Sequence, residues 1–476
     1  LGIGDLADDL IEGVDRVRQG VGEMLEPTLR LGITGLSGAG KTVFITALVA
    51  SLLDRTRMRL LRAEAEGRIE AALLRPQPDD AVPRFAYEAH RAALTGEPPR
   101  WPDSTRSVSQ LRLSIRYRPA GFFGALTGRS TLNLDIVDYP GEWLLDLPLL
   151  DQGYDDWARA AMEATESAAR RPHAGAWSKA LAATDPAGAH DEPTAEALAA
   201  AYRDYLAGCR AAGLSALAPG RFLMPGDLEG SPALTFAPLP KPERPPRKGL
   251  YAQMQARFEA YKRVVVKPFF RNHFARLDRQ VVLIDALGAL ERGPRALGDL
   301  TATMAETLAV FRHGRNGWLD LLMGGRRIDR LLFAASKADH LHHDQHPRLT
   351  ALVEGMLAEA ARRAAYRGAE TRAMALAAIR ATAEQEITEA GERVGLVRGR
   401  RLSDGKEIAL YPGLLPSDIA QTLAIAHAGE PGAAPVDWPG SEFAAARFAP
   451  PRWEGSSPPH LRLDAALEFL IGDKLE

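Results

Sequence analysis

The chain has a single cysteine, Cys209, in 476 residues. That excludes an intramolecular disulfide framework and a cysteine-built zinc ribbon. It also lacks an excess of either charge: 59 Lys and Arg stand against 61 Asp and Glu, a formal net charge of −2. No whole-chain electrostatic argument therefore points to nucleic acid or to an anionic membrane. No apolar run approaches the roughly 18 residues of a spanning helix, so no transmembrane segment is expected. No stretch reads as a signal peptide. These absences together suit a reducing cytoplasm, the expected location. Length is not lacking: the chain can bury a large core, in two domains or one elaborated domain.

The stretch Leu31 to Thr46 reads LGITGLSGAGKTVFIT. Within it, Gly35-Leu36-Ser37-Gly38-Ala39-Gly40-Lys41-Thr42 matches G-x-x-x-x-G-K-[ST], the phosphate-binding P-loop. A polyphosphate has to be wrapped by backbone N–H groups, and a side chain at the wrong point would block it. Gly35 and Gly40 leave that room and reach backbone angles closed to other residues. Lys41 can place an ammonium near the β- and γ-phosphates, and Thr42 can offer its hydroxyl to Mg²⁺. The expected nucleotide-binding set here is Gly35, Ser37, Gly38, Ala39, Gly40, Lys41, Thr42 and Val43. Context supports the match: Leu31–Thr34 is an apolar lead-in, and Thr42–Leu53 reads as a buried helix whose positive dipole end faces the phosphates.

Upstream, Ile3 to Leu25 has apolar residues at spacings of three and four, an amphipathic helix with six acidic and two basic residues. It is expected to pack on the nucleotide domain rather than on anionic lipid. Downstream, Arg57–Leu74 reads as a charged helix. Ser109–Arg118 and Ser130–Val137 read as two strands of a hairpin. The second delivers Asp138-Tyr139-Pro140-Gly141. An acidic residue at the end of a buried strand is where P-loop enzymes hold Mg²⁺, and Gly141 would give a backbone N–H to a γ-phosphate. The same tetrapeptide is also an ordinary turn; its place after a strand and behind a P-loop favours the functional reading.

Residues 151–278 are alanine-rich, then proline-dense over Pro238–Pro246, and read as a mostly helical insertion between a first part of the nucleotide domain (31–150) and a second (279–391). Gln280–Ala286 reads as a central parallel strand, with Asp285 at its end kept as a structural residue. A helix is expected over Ala296–Phe311. Ile328–Ala335 reads as another buried strand and ends in Ser336-Lys337-Ala338-Asp339. Guanine presents two adjacent donors, the ring N1–H and the exocyclic amine, and the Asp339 carboxylate can accept both. Adenine would meet it with an acceptor. Lys337 can lay its methylene stem along the base. His340, His342, His343 and His346 follow; with no cysteine nearby and irregular spacing, they read as a solvated loop. A helix is expected over Pro347–Tyr366, then a last strand over Ala373–Ile379. Residues 392–476 read as a basic hairpin around Ser403–Lys406 and a terminal helix capped by Asp464.

The ordered set GLSGAGKT, DYPG, SKAD and AIRAT resembles the Ras-like regulatory GTPases. The stretches GLSGAGKTVFITAL, DYPGEWLLDLPLL, RFLMPGDLEGSPAL, RQVVLIDALGAL, ASKADHL, AIRAT and LRLDAALEFLIGDKLE resemble, more closely, the YcjX-like (DUF463) bacterial stress proteins. They span nearly the whole chain. The resemblance implies an α/β fold: a Ras-like P-loop NTPase domain with a mixed, mostly parallel sheet flanked by helices, plus a large helical insertion. It implies GTP/GDP and Mg²⁺ as ligands, with Ser336, Lys337 and Asp339 on the base and a backbone N–H from Ala378, Ile379 or Arg380 touching it. It also implies a role in envelope or general stress and a YcjF-like membrane protein as partner, with peripheral placement at the inner membrane through it. The spacing agrees with insertions: 96 residues separate Thr42 from Asp138, and 195 separate Gly141 from Ser336.

One position departs from the pattern. Many GTPases place a glutamine after the switch glycine to orient the attacking water; here that residue is Glu142. A carboxylate cannot donate a hydrogen bond to a γ-phosphate, although it can orient water or accept a proton. Lys41, Gly141 and Glu142 are the candidate catalytic residues, and Thr42, Thr105 and Asp138 the candidate Mg²⁺ contacts. Binding is therefore expected ahead of fast hydrolysis. Two readings stand beside the GTPase: an adaptor that holds nucleotide while its helical insertion binds a partner, and an ATP-dependent enzyme, against which Lys337 and Asp339 argue.

Overall fold

The computed structural model describes residues 26–476 except 37, 78, 104–106, 121–127, 309–327, 367, 390, 429–437, 445 and 453–456, and at 227 and 392 the backbone alone. The helix expected over Ile3–Leu25 lies outside the described residues.

A seven-stranded sheet forms the centre. β1 (Thr28–Gly35) runs in its middle, and its Leu29, Leu31 and Ile33 are buried. In space it lies between two parallel neighbours, β4 (Ser130–Asp138) and β5 (Arg279–Ile284). Beyond β5 come β6 (Arg330–Ala335) and β7 (Glu370–Ala375), both parallel. Beyond β4 the direction reverses: β3 (Ser109–Tyr117) pairs antiparallel with β4, and β2 (Ile69–Arg75) antiparallel with β3. All six residues of β5 are buried, as a strand covered on both faces requires. The β3–β4 hairpin alternates instead. Leu111, Leu113 and Ile115 enter the core, while on the other face Arg112 grips Asp135 with two bonds of 2.6 and 2.8 Å.

Helices cover both faces. On one side α1 (Lys41–Leu53) is buried along almost its whole length, and its Phe44, Ile45 and Leu48 share a core with Leu31, Ile33 and Leu134. α2 (Tyr87–Thr95) contributes Tyr87 and Leu94 to that core. On the other side a larger core runs continuously from the sheet into the residues between β4 and β5. These form α3 (Tyr154–Thr165), α4 (Gly175–Ala182), α5 (Glu192–Ala211) and α6 (Leu250–Tyr261). Aromatic rings fill it: Trp157 stacks on Phe258 with centroids 4.7 Å apart, and Trp177, Tyr202 and Phe236 surround them. α7 (Pro294–Thr307) and α8 (His346–Tyr366) complete that face, with α9 (Ile419–Ala428) outside them. α10 (Leu463–Ile471) returns to the α1 side and inserts Leu467 and Leu470 under the sheet. The expected fold class, α/β with a mixed and mostly parallel sheet flanked by helices, is the one observed.

Four local expectations are corrected. The helix over Arg57–Leu74 is instead a turn at Arg55–Arg57, a single helical turn at Arg62–Ala65 and then β2. Gly67 stops the helical turn at φ +65°, and pairing with β3 captures the rest as an edge strand. The last sheet strand ends at Ala375, not Ile379, because Ala377 leaves the sheet to pair with Leu461. The basic hairpin is present as β9 (Glu392–Arg400) and β10 (Glu407–Leu410), but β8 (Thr382–Glu389) joins it as a third strand. Asp464 does not cap α10. Arg462 holds that position, and Asp464 Oδ2 accepts instead from the backbone N–H of Leu60, 3.1 Å away.

Candidate functional site

The strand register places the candidate residues along one edge of the sheet. Ile33 of β1 is level with Asp138 of β4, Gly35 with Leu283 of β5, Ile284 with Ala335 of β6, and Ala335 with Ala375 of β7. The P-loop, Asp138, Asp285, Ser336 and the segment after β7 therefore leave the carboxyl ends of five neighbouring parallel strands. That is the crevice in which open α/β sheets bind ligands.

At the P-loop, Gly38 and Gly40 sit at φ +85° and +88°, the left-handed region that a Cβ disfavours. Gly35 is glycine for another reason: a Cβ there would stand 2.6 Å from the Leu283 carbonyl oxygen. The loop closes with Ala39 N–H donating to Leu36 O at 3.1 Å, and α1 starts at Lys41. Lys41 and Thr42 are largely buried at its first turn, with Val43 half-buried beside them. The Thr42 hydroxyl donates to the Asp103 carbonyl at 3.3 Å, so the chain just before β3 reaches over the P-loop. Ser37 and Thr105 lie outside the described residues.

Asp138 is the last residue of β4 and almost wholly buried. Three residues later Gly141 meets the P-loop, where a Cβ would overlap the carbonyl of Gly35 and crowd Leu36 N. Gly141 is thus in backbone contact with the loop that begins at Gly35. From Gly141 the chain runs as a tight helical stretch to Asp151, packed on the helical residues that follow. Arg210 at the end of α5 approaches Glu142, its Nη2 3.6 Å from Oε1. A Cβ at Gly220 would overlap the Glu142 carbonyl. Asp146 is buried and receives three donors: the N–H of Gly220 at 2.6 Å, the N–H of Arg221 at 2.9 Å and the Tyr261 hydroxyl at 2.7 Å. Burial pushes its carboxyl up to about 6 against the pull of those donors. The Arg221 guanidinium lies 3.9 Å over the Trp143 ring, whose Nε1 donates to Met224 O at 3.1 Å.

After β6, Lys337 adopts φ +61°, which a non-glycine residue rarely takes, and its Nζ pairs with Asp285 Oδ2 at 2.6 Å. Asp285 also accepts from Gly288 N–H at 3.1 Å and caps the turn Ala286–Glu291, which fits the structural role expected of it. Ser336 does not reach the P-loop through its hydroxyl, which donates to Ile284 O at 3.3 Å. Asp339 Oδ2 accepts from the Ala381 N–H at 2.7 Å, and its carbonyl accepts from the Thr382 hydroxyl. The loop after β7 therefore closes directly over the motif. Of its backbone donors, Arg380 N–H is taken by Pro459 O at 2.7 Å; Ala378 and Ile379 line the same turn. The histidine tract is not a solvated loop. His342 and His346 are buried, and His346 Nε2 donates to Ala338 O at 2.9 Å, bracing the Ser336–Asp339 turn.

Asp146, Arg210 and Ala381 were not singled out in the sequence. Asp146 had a signal, a lone carboxyl within the apolar run Trp143–Leu149. Ala381 lies in the AIRAT stretch, whose Ala378, Ile379 and Arg380 were the expected contacts, and Arg210 had no signal, since it acquires its partner only through contacts between distant segments.

A model of the YcjX-like family, DUF463, matches residues 29–475 of the chain. A protein of Escherichia coli (strain K12) named Ras-like GTPase YcjX is 40% identical over 460 residues, covering 94% of this chain and 96% of its own length. A protein of the same name from Shewanella oneidensis is 36% identical over 474 residues, covering 94% and 95%.

Proposed function

The chain belongs to the YcjX-like family, and on that footing we propose that it is a guanine-nucleotide switch that binds GTP with Mg²⁺ and hydrolyses it to GDP and phosphate. The observation that carries this reading is the register of the sheet. It brings the P-loop, Asp138–Gly141, Ser336–Asp339 and the loop ending at Ala381 to one edge, with Gly141 against Gly35.

Each part has a role in the proposal. The N–H groups of residues 38–42 and the Lys41 ammonium hold the phosphates. The Thr42 hydroxyl and the Asp138 carboxylate, both oxygen donors at the same sheet edge, suit Mg²⁺, with Thr105 as the candidate further contact. When bound, Mg²⁺ neutralises charge on the β- and γ-oxygens. Gly141 N–H reads the γ-phosphate. Asp339 accepts from guanine N1–H and the exocyclic amine, and the Ala381 N–H, already bonded to Oδ2 of that carboxylate, holds it in place. In hydrolysis, water oriented by Glu142 attacks the γ-phosphorus, and the bond to the β–γ bridging oxygen breaks.

The nucleotide-holding adaptor is kept as a second reading by one feature. The residue after the proposed switch glycine is a carboxylate with a basic partner, Arg210, that comes from the helical residues. The envelope or general stress role and a YcjF-like membrane partner are supported by the family resemblance alone.

The test is titration of nucleotide-free protein with labelled GTP and ATP analogues in Mg²⁺, for wild type and Asp339→Ala. Two charge-assisted hydrogen bonds are worth about 3 kcal/mol or more together. GTP affinity should fall roughly 100-fold in the variant, with ATP weak throughout. Equal binding of both nucleotides, insensitive to the substitution, would overturn the guanine assignment. Turnover at saturating GTP then separates switch from adaptor.

A further inference from the structure

We propose that His342, His343 and Asp344 form a site for one divalent transition-metal ion of the Zn²⁺ type, separate from the nucleotide and its Mg²⁺.

Three donors converge. Nδ1 of His342 lies 3.0 Å from Asp344 Oδ2, and Nε2 of His343 lies 3.2 Å from Asp344 Oδ1. One ligand atom from each residue falls within 4.8 Å of the others. Nitrogen and oxygen donors bound tetrahedrally to zinc at about 2.0–2.1 Å stand roughly 3.3 Å from one another, and the two histidine–carboxylate separations match that spacing.

The site is built rather than draped on the surface. The His342 side chain is only 4% exposed, and a Cβ at Gly395 of β9 would collide with its ring; the strand has a glycine where the imidazole is seated. Its Nδ1 is sealed from solvent and has no hydrogen-bond partner among the described residues. The Asp344 oxygen stands at hydrogen-bond distance but off the direction the ring nitrogen requires. A buried polar atom left in this state needs an explanation. A cation on the lone pair, shared with the carboxylate, supplies one.

The far side of each imidazole completes the pattern. A metal-bound histidine characteristically gives its other ring nitrogen to a carboxylate, which fixes the tautomer. His343 Nδ1 is 2.6 Å from Glu384 Oε2, and His342 Nε2 is 3.7 and 3.8 Å from Glu384 and Glu386, all on β8. Two imidazoles and a carboxylate suit Zn²⁺, Co²⁺ or Ni²⁺ rather than Mg²⁺, and they leave the fourth position to water. The ion would clasp the turn after Asp339 to the strand after Thr382, the two segments already joined at Asp339.

The experiment is zinc uptake by untagged, nucleotide-free protein in excess Mg²⁺, followed by calorimetry, with Co²⁺ substitution read by its visible absorption. His343 and Asp344 are exposed, so His343→Ala/Asp344→Asn should fold. His190→Ala, on the helical residues, is the control. Wild type and control should take up one Zn²⁺ and give the intense bands of four-coordinate Co²⁺. The double variant should lose both, and Glu384→Gln should weaken binding by about 10–100-fold. Uptake by the double variant equal to wild type, or no uptake by wild type, would overturn the proposal and leave the cluster an ion-pair network.

Discussion

Arg210 Nη2 stands 3.6 Å from Glu142 Oε1, joining the end of α5 to the residue after Gly141. The Glu142 side chain is 8% exposed and that of Arg210 33%, so the pair is screened less than a surface one. On the proposed reading Glu142 adds negative charge where a γ-phosphate would sit, and Arg210 offsets it. Arg210→Ala should lower the preference for GTP over GDP by roughly fivefold, about 1 kcal/mol of coupling between neighbouring groups. Adding Glu142→Gln should restore it. Affinities for both nucleotides across this double-mutant cycle are the check; independent effects of the two changes would refute the coupling.

Gly141 has no room for a side chain because its neighbour is the backbone of Gly35, not a movable group. Gly141→Ala should push the switch segment off the P-loop at a cost of about 1–3 kcal/mol. Nucleotide affinity should drop at least tenfold with secondary structure retained, as judged by titration and circular dichroism. Unchanged affinity would mean that the contact is irrelevant to binding.

Asp146 sets a pH dependence. Its carboxyl is pushed up to about 6 by burial, from an ordinary value near 4. Between those values the folded chain binds more protons than the unfolded chain, so stability falls as pH rises from about 4 to about 6. The loss is at most roughly 3 kcal/mol and is complete above pH 6. Asp146→Ala should be less stable than wild type at every pH, because Gly220, Arg221 and Tyr261 lose their acceptor. The gap should be widest near pH 4 and narrow toward pH 7. Urea denaturation across that range measures it; a gap that widens with pH would show that Asp146 titrates in the opposite sense.

Arg279 is fully buried at the start of β5, where Asp473 and Asp329 each take two of its guanidinium bonds. Asp473 lies in the turn that follows α10, so this network pins the end of that helix to the start of β5. Asp473→Asn removes the less exposed of the two charges facing a buried cation and should destabilise the protein by about 3 kcal/mol. A lower urea midpoint with unchanged nucleotide affinity is expected.

Much of the framework was legible because its signals are local. An apolar run before a glycine loop, alternation over Ser109–Tyr117, and the buried runs Arg279–Ile284 and Arg330–Ala335 each report on the residues around them. The errors came where local preference competed with distant pairing. Arg57–Leu74 has helical composition, yet its second half is claimed by β3. Thr382–Glu389 became a strand only because β9 lay beside it. The histidines after Asp339 read as solvated until packing buried two of them.

The sequence by itself determined the chemistry on offer: a glycine loop with Lys41 and Thr42, a carboxylate at Asp138, another at Asp339, and a carboxylate in place of an amide at Glu142. Only the tertiary structure decided which distant groups answer them. Arg210 meets Glu142 across 68 residues of sequence, Ala381 meets Asp339 across 42, and Gly141 meets Gly35 across 106. The reason is physical. Composition and periodicity fix what a segment can bury, whereas the approach of two segments depends on the summed packing of everything between them.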